Sequence, residues 1–464
     1  MISFNGVSEQ LYIPEEQIKD IYNASKGKSK REQAAIVKND IEKYRKNLDK
    51  RLRENTFSAR QHNTIRIQEN SCKKTRDIVK PRYMYEQMAH HSLMRVFAPI
   101  AMKGMYYHVY GSIPGRGVHK GKKTVEKWIR EDPKNCKYIY KLDIRHFFES
   151  IPHRRLKKAL KRKIRDRELL KRLFAVINSH KPGLPLGYYP SQWFGNFYLQ
   201  PLDHFIKEKL HAIHCIRFAD DMVIFGNNKK TLHKIRKAVE DFIKNKLGLE
   251  VKKNWQVFRF DYTDRNGKRH GRPLDFMGFK FYRDRTTIRK SILKGILAKV
   301  NKVKRKKKIT WVDATSLLSR LGWIWHSNAY TYYERYIKPY VKVKALKTLV
   351  SKHMRRENAK MNWYKAESTA TEAPKELDIT SSPHVVYKRR NVQRTDVTDE
   401  TGKKVGEKWT FEECTQEKEE YERQLAELTS PTMETIMQEL SAVQMAQAET
   451  QVTLEILMEG NANV

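Results

Sequence analysis

The sequence R-F-A-D-D-M-V-I-F-G at residues 217–226 decides the fold of this chain. Apolar residues flank two adjacent carboxylates, Asp220 and Asp221, and this pattern predicts a β-hairpin with both acids at its turn. Burying paired carboxylates without a counter-ion costs several kcal/mol, so we expect the pair to be neutralised. Mg²⁺ takes oxygen ligands and binds through one or two carboxylates together with substrate phosphates. The stretch therefore predicts a magnesium site on a hairpin.

A third carboxylate lies at the end of another predicted strand, about 77 residues before the pair. It is Asp143, in K-L-D-I-R-H-F-F-E-S-I-P at residues 141–152. A site that holds two metal ions about 4 Å apart needs such a further acid. A lone Asp-Asp pair is equally compatible with a solvated turn, but the pair together with Asp143 indicates metal-dependent catalysis.

Five motifs follow one another along the chain. They are K-L-D-x-x-x-x-F from residue 141, L-P-L-G-x-x-x-S-Q-x-x-x-N from 184, F-A-D-D from 218, L-G-L from 247 and F-M-G-F from 276. This order resembles the palm and early-thumb motifs of reverse transcriptases, and the resemblance extends from Cys72 to Lys344. It implies an α+β right-hand polymerase fold with fingers, an antiparallel palm sheet and a helical thumb, plus an acidic C-terminal extension. It also implies RNA-directed DNA synthesis from dNTPs.

The resemblance assigns roles to residues of the palm. It implies that Asp143, Asp220 and Asp221, with the backbone carbonyl of Ile144, bind two Mg²⁺ ions. Phe148 lies five residues after Asp143, where the family has its aromatic gate. A ring below the sugar would clash with a 2′-hydroxyl, so the gate favours deoxynucleotides.

Residues of the fingers are implied to contact nucleotide and template. In K-K-T-R-D-I-V-K-P, Arg76 is the implied contact for the incoming triphosphate, with Lys74 nearby. In Y-G-S-I-P-G-R-G-V-H-K-G, Arg116 is the implied backbone or template contact. Gln192 is implied to belong to the dNTP site, with Tyr189 as a second candidate for the sugar gate.

Two later motifs carry further roles by the same resemblance. One of Lys252 or Lys253, after L-G-L, would protonate the departing pyrophosphate as a general acid. The F-M-G-F motif resembles the primer grip, in which Met277 and Gly278 bring the backbone close to the primer end.

The residues from Leu186 to Gln192 favour one subfamily. They read L-G-Y-Y-P-S-Q, with an apolar residue before Gly187 and Ser191-Gln192 at the end. This pattern resembles the reverse transcriptases of diversity-generating retroelements, which are related to group II intron and retron enzymes. Because Leu186 stands where related enzymes have a long amide, a polar contact beside the templating base is lost, and we expect weaker base-pair checking in this fidelity loop.

The subfamily implies a particular task and particular partners. Its enzymes copy a template-repeat RNA with errors at adenines, and the cDNA replaces a variable repeat during mutagenic retrohoming. They work with a basic, oligomeric accessory variability determinant protein, in bacteria or prophages. A retron-like or phage-defence reverse transcriptase is the alternative, and an RNA-binding protein without catalysis is a distant one, since all three acids are present.

The composition indicates a polyanionic partner. The 464 residues include 94 Lys and Arg against 53 Asp and Glu, a net charge of +41, and a basic surface gains nucleic-acid affinity by releasing counterions. With 39% hydrophobic residues we expect a folded body, and without a long apolar run we expect no membrane span. The N-terminus shows no secretory signal, and four dispersed cysteines fit a reducing compartment, so we expect a cytoplasmic protein.

Changes in composition predict four segments. Residues 1–70 form a basic, exposed helical extension, 71–287 the fingers and palm, 288–365 a basic helical thumb, and 366–464 an acidic linker, hairpin and helical tail. The last segment has 20 acidic and 10 basic side chains, a net charge of −10, which leaves about +51 on the rest. Binding of the polyanion is therefore expected to reside in the first 365 residues.

Overall fold

The computed structural model describes residues 4–25, 32–57, 63–68, 75–359, 364–368, 373–378, 385–398 and 404–417. Lys74, a predicted triphosphate contact, and the predicted acidic helices beyond residue 417 lie outside these ranges. Among the helices that the structure describes, none combines the length and apolar character that a membrane span requires.

The described residues form a mixed α/β structure. The helices are α1 (Pro14–Ser25), α2 (Glu32–Asn39), α3 (Ile41–Glu54), α4 (Met88–Met102), α5 (Val118–Glu131), α6 (Phe147–Ser150), α7 (His153–Lys163), α8 (Arg167–Asn178), α9 (Tyr189–His204), α10 (Lys229–Asp241), α11 (Lys290–Lys304), α12 (Trp311–Trp325), α13 (Tyr330–Tyr336) and α14 (Val343–Ala359). The strands are β1 (Asn63–Gln68), β2 (Thr75–Lys80), β3 (Tyr138–Leu142), β4 (His214–Phe218), β5 (Asp221–Gly226), β6 (Gln256–Arg259), β7 (Tyr262–Thr263), β8 (Arg269–His270), β9 (Leu274–Phe276), β10 (Phe279–Phe281), β11 (Thr286–Ile288), β12 (Tyr364–Ser368), β13 (Leu377–Asp378), β14 (Val385–Thr398) and β15 (Lys404–Glu417).

Side chains that bind free backbone N–H groups begin several helices. Asp166 accepts the N–H of Leu169 at 2.9 Å at the start of α8, and Thr310 forms a reciprocal capping box with Asp313 at the start of α12. Three α-helices join one-turn π-helical segments, at Tyr83–Gln87 before α4, Phe205–Lys209 after α9 and Phe242–Leu247 after α10.

The palm sheet has four antiparallel strands in the order β4-β5-β3-β6. The predicted hairpin at residues 217–226 is confirmed as β4 and β5, in which Phe218 pairs with Asp221. In the register of β3 with β5, Leu142 pairs with Met222. The next residue after Leu142 is Asp143, so the strand pairing alone places Asp143 at the same end of the sheet as the hairpin turn.

The palm sheet separates two hydrophobic cores, because side chains of a strand alternate between its faces. On β5, Met222 and Ile224 belong to the core shared with the fingers helices, whereas Val223 and Phe225 belong to the core shared with the thumb. The four side chains are buried, at 2% exposure or less. Both neighbours of the palm therefore pack directly on the sheet that positions the acids.

The N-terminal segment differs from its prediction as an exposed extension of 70 residues. Leu11, Ile21 and Leu52 are at most 1% exposed and belong to the same core as α4 and α9. Strand β1 pairs with β2 along six residues, so a boundary between residues 70 and 71 would separate two paired strands. The alternation of polar and apolar residues identified the helices but not the body against which they pack.

Two other predicted boundaries also fall inside strands. The boundary at 287/288 divides β11, and that at 365/366 divides β12. Strand β12 belongs to a four-stranded antiparallel sheet of order β12-β15-β14-β13, so the predicted linker contains β13 and part of β12. The two segments of the predicted hairpin form β14 and β15, which pair antiparallel. Helices α11 to α14 fill residues 290–359, as expected for a helical thumb.

Candidate active site

Three carboxylates lie at one end of the palm sheet, and two lysines contact two of them. The Nζ atom of Lys252 donates a hydrogen bond of 2.5 Å to Oδ2 of Asp143. The Nζ atom of Lys141 lies 3.6 Å from Oδ2 of Asp221. The predicted need for a counter-ion is therefore met in part by the protein itself. Of the two lysines proposed as general acid, Lys252 is the one that reaches the acids, whereas Lys253 is exposed.

The surroundings of the turn disfavour the ionised form of its two carboxyl groups. Burial raises the pKa of Asp221 to about 6, and the nearby charge of Asp143 adds to this against the opposing charge of Lys141. Burial, followed by repulsion from Asp143, raises the pKa of Asp220 well above its usual range. The Oδ1 atoms of Asp143 and Asp221 are buried without a hydrogen-bond partner. The site therefore favours a cation beyond its two lysines.

The donor set fits a hard cation in its chemistry. Carboxylate oxygens are the ligands that Mg²⁺ prefers, and two of them are unsatisfied here. The side chains do not form a closed ligand cage, since within the described ranges no three His, Cys, Asp or Glu side chains are grouped tightly enough for one. Two backbone hydrogen bonds flank Ile144: Lys252 N donates to Asp143 O at 2.8 Å, and Arg145 N donates to Glu250 O at 2.7 Å. The carbonyl oxygen of Ile144 is the acceptor in neither of them.

A buried ion pair stands directly behind the catalytic turn, which we define as residues 218–221. The guanidinium of Arg217 donates to both oxygens of Asp203, at 2.8 and 2.6 Å, and both side chains are 1% exposed. The same guanidinium donates to the Asn196 side chain and to the Ala219 carbonyl, each at 2.9 Å. The arrangement fixes the backbone of the turn. The sequence analysis missed Arg217 and Asp203, although a charged residue in an otherwise apolar strand was a visible signal.

A close backbone approach completes the turn. A Cβ atom on Gly111 would lie 2.4 Å from the backbone nitrogen of Ala219, so only glycine permits this contact. The Gly111 carbonyl accepts a 2.8 Å bond from the Asn196 side chain, which thereby joins α9 to the segment beside β4. Ala219 has a positive φ of 52°, a conformation that costs most residues energy and that the surrounding contacts impose.

The nucleotide-side loop, residues 184–192, is held through its backbone. The N–H of Val79 in β2 donates to the Leu186 carbonyl at 2.8 Å. Gly187 has φ 103°, and a Cβ there would lie 2.4 Å from the Val79 carbonyl oxygen, so glycine is required. The loop thus sits on the strand that carries Arg76, which is half-buried three residues before Val79. The predicted contact of Arg76 with the triphosphate stays a prediction.

Other residues of this loop have structural partners. The Ser191 hydroxyl donates to the Pro185 carbonyl at 2.7 Å, and the Gln192 side chain accepts from Ser112 at 3.4 Å. The ring of Tyr189 stacks on His91 with centroids 4.8 Å apart. Leu186 and Gln192 are half-buried, so both present part of their surface outside the core.

The proposed sugar gate packs on a glycine of α9. Phe148 is half-buried against Phe147, with ring centroids 5.0 Å apart, whereas Phe147 is 4% exposed and belongs to the core. A Cβ on Gly195 would approach both rings to 3.0 Å. Phe148 is therefore the more accessible of the two rings, and its role as the sugar gate stays a prediction.

The predicted primer grip lies beside the acids. Strands β9 and β10 form a tight hairpin in which Met277 and Gly278 both have positive φ, 47° and 92°. Lys141, which faces Asp221, also donates to the carbonyl of Asp275 at 2.7 Å. This lysine, which the sequence analysis missed, thus links the hairpin to the carboxylates.

Arg116 has a local role that was not predicted. Its guanidinium donates to the carbonyls of Tyr106 and Tyr107, at 2.9 and 3.1 Å, and so closes a loop of the chain. Its proposed contact with template stays a prediction.

An antiparallel palm sheet with three carboxylates at one edge defines a polymerase of the palm type. The family model described as reverse transcriptase (RNA-dependent DNA polymerase) matches residues 25–281, more than half of the chain. The chain therefore belongs to the reverse transcriptase family, as the order of its motifs predicted. No curated protein sequence matches the chain significantly.

Several solved telomerase structures show a distant likeness. Apo telomerase from Candida tropicalis has 12% sequence identity and a TM-score of 0.40, over 66% of this chain and 59% of that one. Telomerase from Candida albicans, in complex with a TWJ fragment of telomeric RNA, has 11% identity and a TM-score of 0.36, over 60% and 56% of the two chains. The matched region thus spans less than two thirds of those proteins.

Proposed function

We propose that the chain synthesises DNA on an RNA template by attack of a primer 3′-oxygen on a dNTP. The observation that supports this best is the strand register, in which Leu142 opposite Met222 brings Asp143 beside Asp220 and Asp221. The three acids are proposed to hold two Mg²⁺ ions, with the Ile144 carbonyl as a further ligand. Bound Mg²⁺ would stabilise the charge that develops on the transferred phosphate.

The residues around the acids have distinct proposed tasks. Arg76 on β2 would bind the triphosphate, and Phe148 would exclude a 2′-hydroxyl. Met277 and Gly278 would place the primer end, because their hairpin is tied to the acids through Lys141. Lys252, with its ammonium at Asp143, would protonate the departing pyrophosphate.

The finer proposal is that the enzyme serves a diversity-generating retroelement. It would copy a template-repeat RNA with errors at adenines, together with an accessory variability determinant protein. The supporting feature is Leu186, whose carbonyl is bonded to Val79 and whose side chain is half-buried at the loop beside β2. A leucine offers no hydrogen bond to a base pair or sugar, so selection there rests on shape alone.

Primer extension tests the polymerase proposal. The full chain, an RNA template with a DNA primer, dNTPs and Mg²⁺ should yield extended DNA, and chelation of the metal should stop it. A matched reaction on a DNA template measures template preference. Failure to extend any primer, by a folded protein that binds RNA, would contradict the proposed activity.

Sequencing of the cDNA tests the subfamily. Errors concentrated opposite template adenines support the diversity-generating assignment. Rare errors spread evenly over the four template bases would contradict it, and a retron-like or phage-defence enzyme would then be the better account.

A further inference from the structure

We propose that helix α7 forms a binding surface for RNA outside the polymerase site. Arg154, Lys158, Lys161 and Arg162 are exposed and follow one another at helical spacings of four, three and one residues, so they lie along one face. We call these four residues the α7 stripe. The inference rests on the proposed function only in taking RNA as the polyanion.

The opposite face of α7 fixes the stripe in place. Leu156 and Leu160 are fully buried in the core shared with the fingers. The His153 ring makes a 2.6 Å hydrogen bond with the Gly183 carbonyl, and Arg155 donates to the Asn245 carbonyl at 3.0 Å. The cations therefore project from a rigid helix whose start is bonded to the segment leading into the nucleotide-side loop.

No acid of the described part of the chain balances the stripe. The helix has no acidic residue, and none of the four side chains has an ion-pair partner among the described residues. Like charges at i and i+4, such as Arg154 with Lys158 and Lys158 with Arg162, destabilise a helix. An exposed face of mutually repelling cations is favourable when a polyanion binds to it.

Neighbouring residues extend the positive field. Lys157 donates to the Asn178 side chain at 2.5 Å, and its ammonium lies 5.6 Å from the centroid of the Phe174 ring. The Lys161 ammonium lies 5.8 Å from the same centroid. Burial, followed by the charges of Lys181 and Lys161, lowers the pKa of Lys157. Three cations, Lys157 and Lys161 of α7 and Lys181 in the loop after α8, therefore lie close enough to interact, and the two on α7 lie near the Phe174 ring.

RNA is the occupant that this chemistry favours. Rows of Lys and Arg on one helix face bind phosphates without reading sequence, and their affinity falls with salt. The row begins beside the loop that follows residue 179, to which His153 is bonded, and none of its four residues belongs to the proposed catalytic set. An acidic protein segment, including residues 418–464 of this chain with nine acidic and two basic residues, is the competing occupant.

The test compares two variants of the full chain with equal loss of charge. One changes all four stripe residues to Gln, and the control changes the exposed residues Lys229, Lys230, Lys234 and Lys237 of α10 to Gln. The probes are a long RNA with stem-loops and a short primer–template duplex. Affinity is measured between low and moderate salt, and thermal unfolding checks the fold.

We expect the stripe variant to bind long RNA about tenfold to a hundredfold more weakly at 0.1 M salt, with a salt slope reduced by about three. On a logarithmic scale, the control should weaken RNA binding by less than a third as much as the stripe variant does. Extension of the short duplex should be unchanged in both variants. Equal losses in the two variants, or none in the stripe variant, would overturn the proposal. The same comparison is made in a full chain whose nine Glu residues of 418–464 are changed to Gln, and a stripe effect on RNA binding that disappears in that background would also overturn the proposal, because the acidic segment would then be the occupant. If no protein extends a primer, the proposed polymerase activity fails, while the difference in RNA affinity still decides the stripe.

Discussion

The catalytic turn and the nucleotide-side loop are joined by α9 but are stabilised in different ways. Side-chain charges fix the turn, because Arg217 and Asp203 are both 1% exposed and bond to each other and to its backbone. Backbone contacts fix the loop, through the bond from Val79 to Leu186 and the close approach of Gly187. Loss of a side-chain charge should therefore disable the turn, whereas a change at Leu186, which is held through its backbone carbonyl, should change selectivity and leave folding intact.

The largest effect is expected at the acids. Changing Asp220 and Asp221 together to Asn should reduce extension below detection, because the ligands for the metal are lost. The same variant should unfold at a higher temperature without metal, since both pKa values are raised and ionised carboxylates destabilise the fold above them. That gain should shrink as the pH falls through about 6, where Asp221 becomes protonated in the native protein. Primer extension and calorimetry measure the two effects, and extension by the folded variant would contradict the assignment.

A smaller loss is expected at Lys252. Its replacement by Met should lower the extension rate about 10²- to 10⁴-fold if it acts as the general acid. Lys253→Met is the matched control and should be nearly neutral, because that side chain is exposed. Single-turnover rates across pH separate the two roles open to Lys252. A lowered rate with an unchanged pH profile would indicate that it only neutralises Asp143.

Substitutions in the buried ion pair of Arg217 and Asp203 test whether this charge pair stabilises the turn. Arg217→Met should lower the free energy of unfolding by about 3–5 kcal/mol, because it leaves Asp203 buried and uncompensated. Adding Asp203→Leu should recover most of that loss, since both charges are then gone. Denaturant unfolding of the two variants makes the comparison. A double variant no more stable than the single one would show that the bonds to Asn196 and Ala219 matter more than the charge pair.

Sugar selection should change at Phe148 with little change in stability. Phe148→Ala is expected to raise the use of ribonucleotides about tenfold or more, because the ring is only partly buried and its loss opens space for a 2′-hydroxyl. The measurement is the ratio of dNTP to rNTP incorporation on an RNA template. An unchanged ratio with retained activity would transfer the gate to Tyr189, which stacks on His91.

The smallest effect is expected in the loop itself. Leu186→Gln should lower errors opposite adenines by about tenfold, which corresponds to about 1.4 kcal/mol of discrimination. The thermal stability should hardly change, because the backbone bond to Val79 does not depend on the side chain. Sequencing of cDNA from both proteins provides the test. A large loss of stability would mean that the loop, like the turn, depends on its side chains.

Much of the site was determined by local sequence. The apolar residues on both sides of Asp220 and Asp221 predict a buried hairpin, because a strand that is apolar on both faces is stable only when both faces are covered. The glycines at 187 and 278 mark backbone conformations with positive φ that other residues avoid. Hence the order of motifs was sufficient to predict the family, and the alternating segments around a turn were sufficient to predict the hairpin of β14 and β15.

The tertiary structure decided which charges meet. Lys141 and Lys252 reach carboxylates about 80 and 109 positions away along the chain, and Arg217 is buried only because α9 brings Asp203 to it. The placement of the N-terminal helices in the main core and the boundaries inside β11 and β12 have the same origin. Such contacts depend on how segments far apart in the sequence pack together and on the charges that they bring to one another. The local periodicity of the sequence specifies neither.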